Sequence, residues 1–523
     1  MARAKKSTAS QPQTTSQNLG SLIKSARDIM RKDKGLSTDI DRLPLLTWIM
    51  FLKFLDDMEQ IEESRAAMRG ERYRPAIESP YRWRDWAARE DGITGPELLA
   101  FISQDEATLP DGKRGPGLLA HLRSLQGGDG IARRRRVIAT VFKDINCRML
   151  SGYLLREVIN KVNGIHFLAK DELFTLGHLY ETMLREMRDA AGENGEFYTP
   201  RPVVKFMVEV VNPRLGETML DPACGTGGFL VETYQHLEKQ CRTVGDRLVL
   251  QNESIRGGEA KPLPYLLCQM NLLLHGLEAP EIDPENSLRF KLTELGDKDR
   301  VDVILTNPPF GGQEEAGIRG NFPADMQTSE TALLFLQIIM RRLRRPGAGS
   351  VQGGRAAVVV PNGTLFGDGV CARIKEQLLK EFNLHTILRL PLGVFSPYTD
   401  IQTNVLFFDR TQPTEDVWFY EIPIAEEHLH KKNPKYTKTS PMRFEAFESC
   451  LAWWNKRAEN DSAWKVPAKD LLVNNCNLDR KNPHGKEDIA HLPPEQLAAS
   501  ILQKEQRIAA IIAEIKTLLV QKA

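Results

Sequence analysis

The chain has 523 residues, of which 41% are hydrophobic and 27% are charged, which is the composition of a globular protein with room for two or three domains. Its 70 lysines and arginines balance 69 acidic residues, and the net charge of +1 argues against a protein that coats nucleic acid without specificity. The seven cysteines are scattered with no CxxC pair, so we expect reduced thiols in a cytoplasmic protein, with no disulfide framework and no metal site.

The first part of the chain is predicted to be helical. Residues 1–19 are polar and lack an apolar signal core, which predicts a flexible tail. Apolar residues at helical spacing then predict a helical domain over residues 20–165. Its most apolar stretch, residues 43–55, is too short to cross a bilayer, so no membrane segment is expected. The run Arg133–Arg136 suits either a solvated helix face or contact with phosphate, and both alternatives stay open.

Residues 166–425 alternate short apolar runs with helical segments. Strands are predicted at 217–221, 301–306, 355–361, 385–391 and 404–408, with another short run just before Glu259. Strands that alternate with helices predict an α/β domain, with a mostly parallel sheet covered on both faces. Ligands of such sheets bind at the carboxyl ends of the strands.

Residues 426–523 are polar and loop-rich. No clear strand pattern is seen between the strand that ends near residue 408 and the C-terminal helix. The last 31 residues, 493–523, have apolar residues near one stripe and predict a long amphipathic helix. Such a helix could fold back on its own chain or bind a groove on a partner.

A glycine-rich loop follows the strand predicted at 217–221. In "TMLDPACGTGGFL" an apolar strand leads into Asp221, and the next turn contains Gly225, Thr226, Gly227 and Gly228. Glycines let the backbone approach a ligand closely, and the helix after them offers free N–H groups. The spacing fits neither the dinucleotide fingerprint nor the P-loop. An acid before the loop suits a ligand with a positive centre, such as the amine of a methionine moiety.

Two further segments extend this candidate site. Glu259 ends the next predicted strand, where an acid can accept hydrogen bonds from ribose hydroxyls. The segment "GEFYTPRP" lies before the first strand and is either a helix start capped by Thr199 or a lid over an adenosyl or methionine group. We favour the lid. This interpretation assigns six residues to cofactor binding: Glu196, Phe197, Tyr198, Thr199, Pro200 and Arg201.

The segment "VDVILTNPPFGG" begins as a buried strand and ends in residues that suit no regular structure. Pro308 and Pro309 end the strand, Asn307 brings an amide to the strand end, and Phe310 is an aromatic side chain that a turn does not need. Taken alone, this is either an ordinary exit from a strand or a rigid site for a planar nitrogen group.

Together these motifs resemble a known family. "DPACGTGGF" followed by "NPPF" resembles the paired motifs of S-adenosylmethionine-dependent DNA amino-methyltransferases. The fuller set is similar, in order, to the modification subunit of type I restriction–modification systems, and the segments that carry this likeness are "LGHLYETMLRE", "GEFYTPRPVVKFM", "TNPPFGG", "RAAVVVPNGTLFG", "LPLGVFSPYTDIQTNVLFF" and "NLDRKNP". The resemblance covers nearly the whole chain after the first twenty residues or so.

The resemblance implies a Rossmann-like methyltransferase domain that uses S-adenosyl-L-methionine to methylate the N6 amine of adenine in DNA. It implies as partners DNA, a specificity subunit, a second copy of the chain and a restriction subunit. In the site, Asn307 and the Pro308 carbonyl would accept the two N–H bonds of the amine, the prolines would hold these acceptors rigid, and Phe310 would stack on a flipped base. Two departures stand out: the family often has Gly-Gln-Glu at Gly257–Glu259 and Asp-Ser-Leu at Asn286–Leu288.

Other interpretations remain open from the sequence. "NPPF" would also suit methylation of RNA or of a protein amide, and a scaffold without activity is a third possibility. Cys224 lies in the presumed cofactor loop and is expected to be a small filler residue, while Tyr398 and Asp400 would contact DNA or form a turn. Only about 85 residues separate the strand at 404–408 from the terminal helix, which is few for a target-recognition domain. We therefore expect a separate specificity subunit to read the DNA sequence.

Overall fold

The computed structural model describes residues 15–125, 132–167, 199–347, 353–396, 399–429, 434–473 and 475–484, together with residues 177, 180, 182–184, 502, 505, 506 and 508. Three residues of the predicted lid, Glu196, Phe197 and Tyr198, lie outside this part of the chain, and so does Tyr398. The predicted helix at 493–523 also lies outside it, apart from four separate positions.

The described residues between 15 and 167 fold into helices, with a short antiparallel ribbon of β1 (Glu106–Thr108) and β2 (Arg114–Pro116). The helices are α1 (Thr15–Met30), α2 (Asp39–Met68), α3 (Trp83–Trp86), α4 (Gly95–Ser103), α5 (Leu118–Arg123), α6 (Ala132–Phe142) and α7 (Gly152–Asn163). Residues 15–19, which were expected to belong to a flexible tail, instead form the first turns of α1.

Helix α2 is the longest element of this part, and its sequence explains both its start and its buried middle. The Asp41 carboxylate accepts the Thr38 backbone N–H over 3.0 Å, which caps the first turn. Trp48 and Phe51 are buried and meet Phe142 of α6 edge to face. The apolar run at 43–55 is therefore a core helix, and no helix among the described residues is long and apolar enough to cross a membrane.

The rest of the described chain is built around a nine-stranded sheet in the order β11-β10-β8-β9-β7-β6-β3-β4-β5. Its strands are β3 (Met219–Asp221), β4 (Ile255–Gly258), β5 (Glu281–Asp283), β6 (Val303–Thr306), β7 (Arg355–Pro361), β8 (Asn383–Arg389), β9 (Thr403–Asp409), β10 (Asp416–Glu421) and β11 (Ala463–Pro467). Strands β9 and β11 run antiparallel to their neighbours, and the other seven are parallel. The carboxyl ends of those seven strands therefore lie along one edge.

Helices cover both faces of this sheet. The helices are α8 (Arg201–Val211), α9 (Gly228–Glu238), α10 (Val244–Asn252), α11 (Pro262–Leu274), α12 (Ala316–Arg319), α13 (Thr331–Arg342), α14 (Gly363–Phe366), α15 (Val370–Glu381), α16 (Glu426–Leu429), α17 (Glu448–Trp454) and α18 (Ala468–Leu472). Alternate residues of β6 enter two separate cores: Val303 and Leu305 pack with α8, α9 and α11, and Ile304 packs with α13 and α15. Helix α2 contacts α11, so the N-terminal helices share the first of these cores.

The predicted α/β fold with an N-terminal helical part is confirmed, with one correction. Residues after 408 were expected to lack strands, yet β10 and β11 extend the same sheet. The sequence "DVWFYE" has aromatic and β-branched residues that favour a strand, but polar loops on both sides obscured this pattern. Trp464 of β11 stacks on Phe419 of β10 at 5.3 Å, which fixes the edge of the sheet.

Candidate active site

The glycine-rich loop follows strand β3 at the carboxyl edge of the sheet. Gly225 and Gly227 have φ angles of 53° and 81°, in the left-handed region that favours glycine. A Cβ on Gly227 would also lie 2.8 Å from the Cys268 sulfur, so a side chain has no space there. Helix α9 begins directly after this turn, and its N-terminal N–H groups lie next to the loop.

Asp221 ends strand β3, and only 1% of the residue is exposed. One carboxylate oxygen accepts the N–H of Ala223 over 3.1 Å, as in a tight turn. Burial raises the pKa of Asp221 to about 7, because the charged form loses its hydration. A cationic group near this carboxylate would favour the charged form, so the position suits a ligand with a positive centre.

Glu259 follows strand β4, the neighbour of β3, and faces the same loop. Its two carboxylate oxygens accept the backbone N–H groups of Gly225, over 3.0 Å, and of Lys261, over 2.8 Å. Burial raises the pKa of Glu259 in spite of these bonds. Each oxygen keeps a second lone pair, so the carboxylate can still accept hydrogen bonds from a ligand.

Asn307 lies at the end of β6, between β3 and β7 in the sheet. The four residues of β6 are all buried, and the strand is paired on both sides, so the position of Asn307 is rigid. The side-chain NH2 group donates to the hydroxyl oxygen of Thr199 over 3.1 Å. The side-chain oxygen is buried and has no hydrogen-bond partner among the described residues. A buried acceptor without a donor costs about 1–3 kcal/mol, which a ligand with an N–H group would recover.

Thr199 and Arg201 connect the two loops. Thr199 contacts Asn307, and Arg201 donates to the carbonyl oxygen of Gly228 over 2.8 Å. Pro200 lies between them and caps helix α8, whose first residue is Arg201. The part of the predicted lid that the structure describes therefore bridges the glycine-rich loop and the segment that begins at Asn307.

These residues line one cleft of about 650 Å³, its open mouth included. The cleft brings together residues that the sequence assigns to it, namely Thr199, Arg201, Asp221, Gly225, Thr226, Gly228, Glu259, Asn307 and Pro309. Four of the predicted site residues that the structure describes do not line the cleft: Gly227 and Pro308 are buried, and Pro200 and Phe310 are partly buried. Lys261 and Phe229 also line the cleft, although no sequence motif pointed to them.

Phe310 is partly buried and packs edge to face against Phe395, with ring centroids 5.6 Å apart and an angle of 76°. Phe395 comes from the segment after β8, which ends at the same edge of the sheet. Phe395 was not predicted as a site residue, because nothing in the spacing links positions 310 and 395. The quoted motif "LPLGVFSPYTD" contains it, and an aromatic residue just after a predicted strand was the available signal.

Three other candidates contact neighbouring residues of the chain. The sulfur of Cys224 lies 3.8 Å from the sulfur of Cys268, and this neighbour and burial raise the pKa of Cys224, so its thiol is a poor nucleophile. Asp400 forms an ion pair with Lys435 at 2.6 Å on the surface. Within Arg133–Arg136, Arg135 donates to the carbonyl oxygen of Ala76 over 3.2 Å.

Comparisons with known proteins agree with this geometry. A family model described as N-6 DNA Methylase matches residues 171–491, and one described as HsdM N-terminal domain matches residues 19–162. The chain belongs to the N-6 DNA methylase family. It is 46% identical to the methylase subunit of the type I restriction enzyme EcoEI from Escherichia coli, over 92% of this chain and 94% of that protein.

More distant relatives and solved structures agree. The EcoKI methylase subunit of Escherichia coli K12 is 30% identical, over 67% of this chain and 65% of that protein. A crystal structure of a type I modification subunit from Vibrio vulnificus YJ016 has a TM-score of 0.82 at 66% identity, and covers 92% of this chain and 100% of its own. A chain from a type I R-M system has a TM-score of 0.77 at 37% identity, with 98% and 100% covered. The prediction of an adenine-N6 DNA methyltransferase subunit of the type I family is confirmed.

Proposed function

We propose that this chain transfers a methyl group from S-adenosyl-L-methionine to the N6 amine of adenine in a specific DNA sequence, as the modification subunit of a type I restriction–modification complex. The modification protects host DNA from cleavage. The observation that carries the proposal is the unpartnered, buried side-chain oxygen of Asn307, held in a cleft with the glycine-rich loop, Asp221 and Glu259.

The cleft fits S-adenosyl-L-methionine in three respects. Asp221 offers a buried carboxylate to the cationic amino-acid end, and Glu259 offers acceptor lone pairs to ribose hydroxyls. The glycine-rich loop leaves room for close approach of a ligand to the backbone. When bound, the cofactor supplies an electrophilic methyl group on its sulfonium sulfur. The contacts of Glu196, Phe197 and Tyr198 with the cofactor remain a proposal that rests on the sequence.

The residues at Asn307 account for the activation of the target. The amine of adenine is a weak nucleophile because its lone pair is delocalised into the ring. The amine would donate one N–H bond to the Asn307 side-chain oxygen and the other to the Pro308 carbonyl oxygen. These two hydrogen bonds draw the nitrogen towards sp³ geometry and localise the lone pair on it. Pro308 and Pro309 keep these acceptors in place, so little reorganisation is needed during the reaction.

Phe310 gives the site a surface on which a base can stack. The amine of a paired adenine is not accessible to a cleft of this kind, so the nucleotide must leave the duplex. Phe395 packs against the Phe310 ring with the two ring planes at 76°, which restrains the ring on which a base would stack.

The proposal includes partners. Strands β10 and β11 belong to the methyltransferase sheet, so little of the chain between 409 and 484 is left for a separate DNA-reading domain. We therefore assign sequence recognition to a specificity subunit, with a second copy of this chain and a restriction subunit in the full complex. The N-terminal helical domain at 20–165 would clamp DNA, and residues 493–523 would dock on the specificity subunit. The proposal includes a cytoplasmic location, which suits an enzyme that acts on DNA.

The first test measures transfer of labelled methyl from S-adenosyl-L-methionine to cognate DNA, with and without the specificity subunit, followed by digestion to nucleosides. Label is expected in N6-methyladenine, and only when the specificity subunit is present. Asn307→Ala should lower this transfer by about 100-fold or more while cofactor affinity stays within about twofold. Asn252→Ala, an exposed asparagine of α10, serves as the control and should leave transfer unchanged.

Three results would contradict parts of the proposal. Equal transfer by Asn307→Ala would remove the assigned role of its side-chain oxygen. Label on DNA without the specificity subunit would mean that this chain reads DNA itself. Label on RNA or protein, with none on DNA, would replace the substrate.

The docking role of residues 493–523 has a test of its own. A chain truncated after residue 492 should fold and bind cofactor with unchanged affinity, yet its co-elution with the specificity subunit should be lost or much weakened. Undiminished co-elution would refute the docking role and leave the catalytic proposal intact.

A further inference from the structure

The Asn307 side chain can be oriented in two ways, and only one of them is useful. Its oxygen and its NH2 group exchange places when the amide turns by 180° about the last side-chain bond, with almost no change in shape. With the oxygen towards the amine of the base, an N–H bond is accepted. With the NH2 group there, two donors face each other and the amine is not activated. A neighbouring hydroxyl both donates and accepts, so it can hold the amide in place in either orientation, and the N–H bond of the base itself favours the useful one.

Thr199 is the residue in contact with the other end of this amide. Its hydroxyl oxygen accepts the Asn307 NH2 group over 3.1 Å, across 108 positions of sequence. The same contact leaves the Asn307 oxygen without a partner among the described residues, although that oxygen is buried. Thr199 is itself fixed, because Pro200 follows it and Arg201 is bonded to the Gly228 carbonyl oxygen over 2.8 Å.

We propose that Thr199 is a positioning residue for the methyl transfer, which acts through Asn307 by holding its side-chain amide in place beside the target amine. The sequence assigned Thr199 to cofactor binding, and the two roles make different predictions. This inference rests on the proposed function, since it concerns the orientation of the group that accepts the N–H bond of adenine.

The test uses the complex with its specificity subunit and cognate duplex DNA. Thr199→Val removes the hydroxyl at nearly constant volume and should lower kcat by about 10- to 100-fold, as expected for a misplaced catalytic group. Affinity for S-adenosyl-L-methionine, measured by equilibrium binding, should stay within about twofold of the wild type. Thr199→Ser keeps the hydroxyl and should restore kcat to within about threefold of the wild type.

A control separates loss of this contact from loss of another threonine hydroxyl close to the site. Thr233 lies on α9 behind the glycine-rich loop, is fully buried, and its hydroxyl has no hydrogen-bond partner among the described residues. Thr233→Val makes the same chemical change close to the site and should leave kcat unchanged.

A second background tests whether Thr199 acts through Asn307. Asn307→Ala leaves no side-chain amide for Thr199 to hold. In methyl transfer by this variant, measured under single turnover, Thr199→Val should change the rate by less than about threefold. A full additional loss would overturn the inference.

The other possible results also support or contradict the role of Thr199. An unchanged kcat in Thr199→Val overturns the inference, and a fall in cofactor affinity alone would assign Thr199 to the cofactor instead. Parallel losses of kcat and affinity that Thr199→Ser does not restore would also overturn it, as a packing effect. Failure of the proposed function is distinguishable, because the wild-type complex itself would then transfer no label to DNA.

Discussion

The Ser287 hydroxyl occupies the space in which a side chain on Gly258 would begin. It also donates to the carbonyl oxygen of Pro222 over 2.7 Å, so it is held in place. The two positions at which this sequence departs from its family pattern, Gly257–Glu259 and Asn286–Leu288, therefore meet beside the cleft. Asn286 accepts the N–H of Leu288 over 2.9 Å, which starts the turn that carries Ser287.

This contact predicts a penalty for any side chain at position 258. Gly258→Ala should destabilise the chain by about 1–3 kcal/mol, because a new Cβ overlaps with Ser287 and would lie 3.2 Å from the Pro222 oxygen. It should also weaken binding of S-adenosyl-L-methionine, since Glu259 is the next residue. Urea unfolding and equilibrium binding measure the two effects.

A double-mutant cycle tests the cause. Ser287→Ala removes the hydroxyl, so the penalty of Gly258→Ala should be smaller by about 1 kcal/mol in that background. Strictly additive effects of the two substitutions would show that Ser287 is not what restricts position 258.

The raised pKa of Asp221 predicts how stability depends on pH. Between the ordinary value of 3.8 and the folded value of about 7, the unfolded chain has lost this proton and the folded chain has kept it. Because the folded state then binds more protons, this group lowers the free energy of unfolding as pH rises, by up to about 1.4 kcal/mol per pH unit in that window. The effect levels off above about pH 7.

Asp221→Asn removes this titration and leaves the other groups unchanged. The thermal midpoint of Asp221→Asn minus that of the wild type should therefore increase from pH 5 to pH 7 and then stay level. Both proteins are measured without cofactor, because a cationic ligand would favour the charged carboxylate. A difference that is constant over this range would mean that Asp221 is charged in the folded chain.

The parts of the site that follow strand ends could be predicted from sequence, for a physical reason. An apolar run buried on both faces must end where a polar residue appears, and Asp221, Glu259 and Asn307 each mark such an end. Parallel strands bring these ends to one edge, so residues 86 positions apart, at 221 and 307, meet in one cleft.

The parts that the sequence did not reveal depend on side-chain contacts or on short edge strands. The contact of Thr199 with Asn307 has no local pattern, since in sequence Thr199 suits a helix cap or a lid and Asn307 suits a strand end, and the structure places Pro200 at the cap. Strand β5 has only three residues, and the first is exposed, so it shows no apolar run. Strand β11 was not predicted because only its first two residues are buried, so its five residues form neither an apolar run nor an alternating pattern.

The ring of Phe310 should contribute to catalysis through the base and not through the cofactor. Stacking of a base on an aromatic side chain contributes about 1–3 kcal/mol, so Phe310→Ala should lower kcat/KM for DNA by about 10- to 100-fold. Affinity for S-adenosyl-L-methionine should stay unchanged. Phe395→Leu keeps an apolar group but loses the edge-to-face contact, and should lower kcat/KM by about 2- to 10-fold.

A third aromatic residue provides the control. Phe444 is also partly buried, but it belongs to the segment just before α17, and the Lys205 ammonium lies over its ring, 4.1 Å from the ring centroid. Phe444→Ala should leave kcat/KM for DNA unchanged, although it can lower stability. Because Phe395 acts by holding the Phe310 ring, Phe395→Leu should have little further effect in the Phe310→Ala background. Independent losses from the two substitutions would instead mean that each ring contacts the base by itself.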